Sequence, residues 1–167
     1  MRNALLAFAG MLAAVLVGLW IFHAVADRPT PLEHATVEAD RAAMLMREDF
    51  ALAASSMKVA ITEYWLSRGA MPASNAAAGL PDPAAYRGHT LRSATIGAGG
   101  AITFEFDARS ARDGGRVRLV PDLAATQAMG VQWRCETADF PLIGRALPAC
   151  TYVPGSSAST GTPEVAG

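Results

Sequence analysis

Two cysteines in the C-terminal third have the clearest chemistry in this sequence. Cys135 and Cys150 are the only cysteines among 167 residues, and they lack the C-x-x-C spacing of a redox or zinc site. Downstream of an apolar N-terminal segment, this spacing favours one disulfide that closes a short loop in an oxidising compartment. Two unrelated buried thiols are the alternative. Closing a loop of about 16 residues would stabilise the fold by roughly 3 kcal/mol.

The other reactive side chains do not form a recognisable catalytic or metal-binding pattern. The three histidines are His23, His34 and His89. None stands at the spacing of a metal or nucleophile motif. Ser55-Ser56 and Lys58 lie in a helical segment, where a scaffold role is favoured over catalysis. We therefore predict a protein that is not an enzyme and that binds no metal or cofactor.

Two groups of residues are candidates for binding a partner. The first is an arginine cluster formed by Arg109, Arg112, Arg116 and Arg118. Asp107 and Asp113 lie among these arginines, which favours a solvated surface over nucleic-acid binding. The second group, between the two cysteines, consists of Phe140, Leu142 and Ile143. These three form either an exposed contact patch or the packing beneath the loop.

The N-terminal segment predicts the compartment. No Asp, Glu, Lys or Arg occurs between Ala4 and Ala26, and a helix of that length can cross a hydrocarbon core of about 30 Å. Arg2 would keep the leading end in the cytoplasm. We expect residues 1–26 to be a single-pass inner-membrane anchor, with the C-terminal domain in the periplasm. Cleavage after Ala26, as in a signal peptide, is the alternative and would release a soluble periplasmic domain.

The remaining chain predicts one domain with flanking segments. The Pro-rich residues 27–31 predict a hinge, residues 32–153 a single domain, and the Gly-, Ser- and Thr-rich residues 154–167 a disordered tail. The sequence is 51% hydrophobic and 17% charged, with a net charge of -1. This balance is typical of a globular domain and does not indicate a polyanionic partner.

The pattern within the domain predicts an α+β fold. Residues 32–68 predict a long helix, and its second half carries an apolar stripe. The stripe consists of Phe50, Ala53, Ala54, Met57, Ala60, Ile61, Tyr64 and Trp65. Runs at 89–96, 101–106, 116–120 and 131–136 predict four antiparallel strands. In the second run, Ile102, Phe104 and Phe106 share one face, which would cover the helix stripe. A helix packed on such a sheet is an α+β roll.

Several segments, in this order, resemble the type IV pilins of Gram-negative bacteria. Residues 57–65, Gly69 and residues 71–80 resemble the end of the pilin spine helix and the start of its αβ-loop. Segments 99–102, 118–121, 131–135 and 146–150 are similar to its successive strands and its disulfide-closed C-terminal loop. The resemblance covers residues 54–150. It implies a pilin-like roll in which the cysteine bridge fixes the last loop.

The N-terminus differs from that of a type IV prepilin, which has a leader ending in Gly before Phe and an early mature Glu. Here Gly10 precedes Met11, and no acidic residue occurs before Asp27. We therefore expect a pilin-like protein that is held at the inner membrane. Its role would be structural or accessory in pilus biogenesis or regulation. Its partners would be pilin subunits or pilus assembly proteins. Location in the pilus itself stays open. The alternative is a binding module with a pilin fold that lies outside the cytoplasm. It would bind DNA, or a surface ligand in cell adhesion.

Overall fold

A computed structural model describes residues 2–26, 31–127 and 130–155 of the chain. The chain divides into two units, Met1–Glu38 and Ala39–Gly167. The first unit contains helix α1 (Arg2–Ala26) and the beginning of helix α2 (Pro31–Arg68). The second unit contains the rest of α2 and a five-stranded sheet.

Helix α1 coincides with the segment predicted to be a membrane anchor. Within the part of the chain that the structure describes, no helix was found with the length and apolar character that crossing a membrane requires. The anchor predicted at residues 1–26 is thus not confirmed. Of the predicted hinge, residues 27–30 lie outside the described residues, and Pro31 begins α2. Proline is favourable there because the first helical N–H has no partner within the helix. Of the predicted tail, residues 156–167 also lie outside the described residues.

Helix α2 ends where the sequence predicts. Gly69 follows its last residue with a φ of 68°, a left-handed conformation that glycine adopts without steric cost. The Gly69 N–H donates to the Trp65 carbonyl oxygen at 2.8 Å. Part of the predicted apolar stripe is buried, namely Ala53, Ala54, Met57 and Ile61.

The sheet has five strands, arranged in sequence order. They are β1 (Leu91–Ile96), β2 (Ile102–Phe106), β3 (Arg116–Gln127), β4 (Gly130–Thr137) and β5 (Cys150–Tyr152). Strands β1 to β4 pair antiparallel, whereas β5 pairs in parallel with β4. The prediction of four antiparallel strands is therefore wrong. Strand β5 escaped prediction because three residues are too few to show an alternating pattern.

The core lies between α2 and one face of the sheet. Ile102, Phe104 and Phe106 alternate along β2 and are all fully buried, as the pattern predicts for a sheet with one covered face. Met57 of α2 belongs to the same core cluster. The Phe50 and Phe104 rings contact each other with centroids 4.7 Å apart. The helix and the second strand therefore form the centre of the domain.

One buried amide holds the long loop between α2 and β1. The Asn75 Nδ2 group donates to the carbonyl oxygens of Pro81, at 3.1 Å, and Ala94, at 3.0 Å. Its Oδ1 accepts from the Ile96 N–H at 2.7 Å. Because both ends of the amide are paired inside the protein, Asn75 can be buried without loss of hydrogen bonding. It joins the loop to β1.

Candidate interaction surface

The two cysteines form a disulfide, which confirms the sequence prediction. Cys135 of β4 and Cys150 of β5 are register partners in the parallel pair, and their Cα atoms are 4.4 Å apart. Residues 135–150 are therefore closed into a covalent ring, which we call the disulfide loop. The bridge fastens the short edge strand β5 to the rest of the sheet.

The disulfide loop contains the three residues of the predicted contact patch, and the structure separates them. Phe140 and Ile143 are buried in the core, whereas Leu142 is 72% exposed. The Phe140 ring packs edge to face on Phe106, with centroids 6.0 Å apart. Of the three, only Leu142 projects into solvent, while Phe140 and Ile143 expose little of their surface.

A groove lies between the disulfide loop and α2. It has a volume of about 450 Å³. The apolar lining comes from Ala42, Ala43 and Met46 on the helix and from Phe140, Leu142 and Ile143 on the loop. Arg112, Asp139 and Arg145 supply the charged groups of the lining. We call this feature the loop groove.

Arg47 of α2 fixes the loop that forms one wall of the groove. Its Nε donates to the Ala146 carbonyl oxygen and its Nη2 to the Arg145 carbonyl oxygen, both at 2.8 Å. These two carbonyl groups lie at the end of a short 3-10 helix, Ile143–Arg145. Sequence reasoning missed Arg47 because its partners are almost one hundred residues away.

The arginines of the predicted cluster all have acidic partners. The ion pairs are Arg109 with Asp107 at 2.6 Å, Arg112 with Asp139 at 3.1 Å, Arg116 with Glu105 at 3.5 Å and Arg118 with Glu136 at 3.4 Å. The hydrogen bond from Arg109 lowers the pKa of Asp107. These pairs give the surface alternating charges, so a phosphate would have to compete with a carboxylate at each guanidinium. The solvated surface, which the sequence favours over nucleic-acid binding, stays a prediction.

Helix α2 also carries a row of exposed apolar side chains, with polar residues between them, on the side away from the sheet. Its exposed side chains are Met44, Leu52, Val59 and Leu66, at 61%, 70%, 58% and 72% exposure. We call these four residues the outer stripe. Steps of seven or eight residues keep side chains on one side of a helix, here the side opposite Met57 and Ile61. The sequence contains this spacing, but sequence reasoning singled out only the buried stripe.

Two hydroxyl groups beside the outer stripe are satisfied within the helix. The Ser55 hydroxyl donates to the Ala51 carbonyl oxygen at 2.7 Å, and the Thr62 hydroxyl donates to the Lys58 carbonyl oxygen at 2.8 Å. Because each hydroxyl already donates to a backbone carbonyl oxygen, these two side chains present no unsatisfied hydrogen-bond donor at the surface. Another protein surface can therefore cover this side of the helix without leaving those hydroxyl groups unable to donate a hydrogen bond.

The described residues offer no evident centre for metal chemistry. Across residues 2–26, 31–127 and 130–155, no group of three or more His, Cys, Asp or Glu side chains was found that could hold a metal ion.

A second cavity, of about 240 Å³, lies beside Asp49 and Tyr86. Burial raises the pKa of Tyr86, although a hydrogen bond with Ser56 acts in the opposite direction.

Comparison with known proteins identifies the family of the chain. The family model of pilin, a bacterial filament protein, matches residues 48–156. No curated protein was found to match the chain. The matched range is more than half of the 167 residues, and it includes the sheet, the disulfide loop and three residues of the outer stripe. The chain therefore belongs to the pilin family.

Proposed function

We propose that this protein is a non-enzymatic component of a type IV pilus, structural or accessory in pilus biogenesis or regulation. Membership of a family of filament proteins supports this role. The observation that carries it is the outer stripe, because its four large apolar side chains are each more than half exposed. Large apolar side chains that lie exposed along one side of a helix supply the apolar contacts of a protein interface.

The outer stripe differs from the scattered apolar residues of an ordinary protein surface. Single exposed leucines are common and need no explanation. The residues of the outer stripe instead recur every seven or eight positions, so they lie on one side of α2, with polar residues such as Glu48 and Ser55 between them. The opposite side of α2 already packs on the sheet, so the stripe contributes little to the fold of the domain itself. Other pilus subunits or assembly proteins are the partners that we propose for it.

An inner-membrane anchor at residues 1–26, with the domain in the periplasm, is a further part of the proposal. It is supported by the absence of Asp, Glu, Lys and Arg between Ala4 and Ala26. The disulfide is consistent with an oxidising compartment such as the periplasm. Membrane fractionation and intact mass test this part. A soluble species that begins at Asp27 would contradict the anchor.

The role in the pilus is tested by expressing the tagged full chain in a piliated Gram-negative host. We expect the protein in sheared pili or in membrane complexes with pilus proteins, and we expect Val59→Lys to reduce its recovery there. Thr151→Lys is the matched control, since it adds the same charge at an exposed position of β5. Absence of the wild type from both fractions would contradict the proposed function. Undiminished recovery of Val59→Lys would show that the outer stripe does not carry it.

A further inference from the structure

We propose that the cavity beside Asp49 and Tyr86 binds a small organic monocarboxylate, whose carboxylate pairs with Arg87 and whose apolar body lies against Leu52. The inference goes beyond the proposed function and does not depend on it. We call this feature the αβ-loop cavity, because one wall is α2 and the other is the loop between α2 and β1. The whole lining lies in one unit of the chain, Ala39–Gly167.

The cavity forms where the loop between α2 and β1 returns to the helix. Residues 85–88 line it on the loop side, and Leu52 lines it on the helix side. A short 3-10 helix, Pro83–Tyr86, begins the loop wall. Gly88 ends this wall, and its N–H donates to the Leu91 carbonyl oxygen at 2.9 Å. Because backbone hydrogen bonds hold both walls, the cavity is a fixed feature of the fold.

Arg87 gives the cavity a positive charge that has no partner within the domain. The residue is exposed, and none of the carboxylates that the structure describes forms an ion pair with it. The arginines of the sheet instead pair with carboxylates, as Arg92 does with Asp113 and Arg134 with Asp122. A guanidinium presents a planar fork of N–H groups that matches a carboxylate. Arg87 can therefore bind an acidic ligand without breaking an existing ion pair.

Asp49 limits the charge that a ligand of this cavity can carry. Burial acts to raise the pKa of Asp49, but its hydrogen bonds outweigh burial and lower the pKa, so the group is negative at neutral pH. Tyr86 adds no second negative charge, because burial raises the pKa of its phenol. With one cation and one anion in the lining, a dianion such as phosphate would be repelled more strongly than a monoanion. The charges therefore favour a monocarboxylate.

The apolar part of the lining and the volume of the cavity define the rest of the ligand. Leu52 is 70% exposed, and Ala53, Ala85 and the Tyr86 ring extend the apolar surface around it. The volume of about 240 Å³ lies below the roughly 300–1,000 Å³ of sites for drug-sized ligands. An apolar lining with a few polar groups that orient the ligand is the usual form of a small-molecule site. A ligand with a single ring fits these dimensions.

The first experiment titrates the full chain in detergent micelles with benzoate and follows the amide NMR signals. We expect saturable shifts at residues 85–88 with a Kd of about 1 mM, which suits a ligand with so few atoms. Benzamide is the matched probe, because it has nearly the same size and shape but no charge. It should bind about tenfold more weakly, since it cannot form the charge-assisted hydrogen bonds with Arg87. Equal affinities of the two probes, or shifts that do not saturate, would overturn the inference.

Two further probes test the class of the ligand in the same titration. Acetate has the carboxylate but lacks the apolar body, and phenylphosphonate keeps the ring but carries a second negative charge near neutral pH. Both should bind more weakly than benzoate. Acetate that binds as tightly as benzoate would show that the apolar wall contributes nothing, and tighter binding of phenylphosphonate would indicate a phosphate site. Either result would overturn the inference.

The second experiment tests the residues that line the cavity. Arg87→Gln should weaken benzoate binding about tenfold. Arg134→Gln is the matched control, since it removes the same charge at an exposed position of β4 outside the cavity, and it should leave the affinity unchanged. Ala85→Phe should fill the cavity and prevent binding while Arg87 is kept. Thermal unfolding verifies that each variant folds. Wild-type affinity in either Arg87→Gln or Ala85→Phe would overturn the inference.

Discussion

The Oδ2 atom of Asp49 accepts two hydrogen bonds from Thr90, one from the backbone N–H at 2.6 Å and one from the hydroxyl at 2.9 Å. The same carboxylate accepts from the N–H groups of His89 and Leu91, both at 3.0 Å. Asp49 is only 5% exposed. Burial acts to raise the pKa of Asp49, but the four hydrogen bonds outweigh it and hold the pKa below its ordinary value of 3.8. One carboxylate thus joins α2 to the start of β1.

Replacement of this carboxylate should destabilise the domain. Asp49→Asn offers one acceptor oxygen instead of two and turns an NH₂ group toward backbone N–H donors, so we expect the free energy of unfolding to fall by about 2 kcal/mol. Asp82→Asn is the control, because Asp82 is exposed and should change stability by less than about 0.5 kcal/mol. Chemical denaturation measures both. Equal stability of Asp49→Asn and the wild type would contradict this role of Asp49.

The lowered pKa of Asp49 also predicts a pH dependence. Since the folded-state pKa lies below the unfolded-state value, the stabilisation is fully present above about pH 4 and is lost as the pH falls through the folded-state pKa. The free energy of unfolding should therefore decrease more steeply in acid for the wild type than for Asp49→Asn. Unfolding curves measured between neutral pH and acid test this. Parallel pH profiles of the two proteins would refute it.

Gly115 is predicted to control the position of the Phe140 ring. A Cβ atom at Gly115 would overlap this ring, and the ring is part of both the core and the loop groove. Gly115→Ala should force Phe140 to move, at a cost of about 1–3 kcal/mol, and should accelerate tryptic cleavage in the disulfide loop. For Gly144→Ala, the new Cβ meets no atom within 4 Å beyond its immediate surroundings in the chain. That variant should behave like the wild type, and equal cleavage rates for both variants would contradict the prediction.

Removal of the disulfide should loosen β5 before the rest of the sheet. The bridge closes a loop with a sequence separation of 15, and the Cys135→Ser, Cys150→Ser double variant should lose roughly 3 kcal/mol of stability. Strand β5 has only three residues, so hydrogen exchange should increase at Thr151 and Tyr152 more than in β1. Reduction of the wild type provides an independent comparison. Uniform exchange across the sheet would show that the bridge does not hold this edge in particular.

The elements with strong periodicity were predictable from sequence, and those that depend on distant partners were not. Alternation correctly placed Ile102, Phe104 and Phe106 on the buried face of β2. Strand β3 was predicted to end at Val120, yet it runs to Gln127, although proline rarely continues a strand. Pro121 stays within it as the register partner of Trp133.

The candidate site could be predicted only in part, for the same physical reason. The cysteine spacing predicted the disulfide, but an irregular loop has no period to show that Phe140 turns inward and Leu142 outward. The sequence placed Asp107 beside Arg109. It could not assign Asp139 to Arg112, because that pair joins segments distant in the chain. The loop groove also forms from α2 and a distant loop, so no local pattern describes it.

Asn75→Asp should reverse the sign of the pH dependence that is predicted for Asp49. The Asn75 NH₂ group donates to the carbonyl oxygens of Pro81 and Ala94, and an aspartate would place a second oxygen against these two acceptors. Burial and repulsion both disfavour the charged carboxylate and raise its pKa in the folded state. The variant should therefore be least destabilised below about pH 4 and lose stability as the pH rises.

The loss of stability on substitution should be much larger for the buried Asn75 amide than for an exposed polar residue of the same loop. At neutral pH we expect Asn75→Asp to lower the free energy of unfolding by about 3 kcal/mol, since it combines a lost hydrogen bond with a buried charge. Ser74→Ala is the matched control, because Ser74 is exposed and its hydroxyl accepts only the Ala77 N–H at 3.2 Å. Denaturation at acidic and neutral pH measures both variants. A penalty for Asn75→Asp that does not change with pH would mean that the aspartate reaches solvent, and that the αβ-loop is not held by this amide.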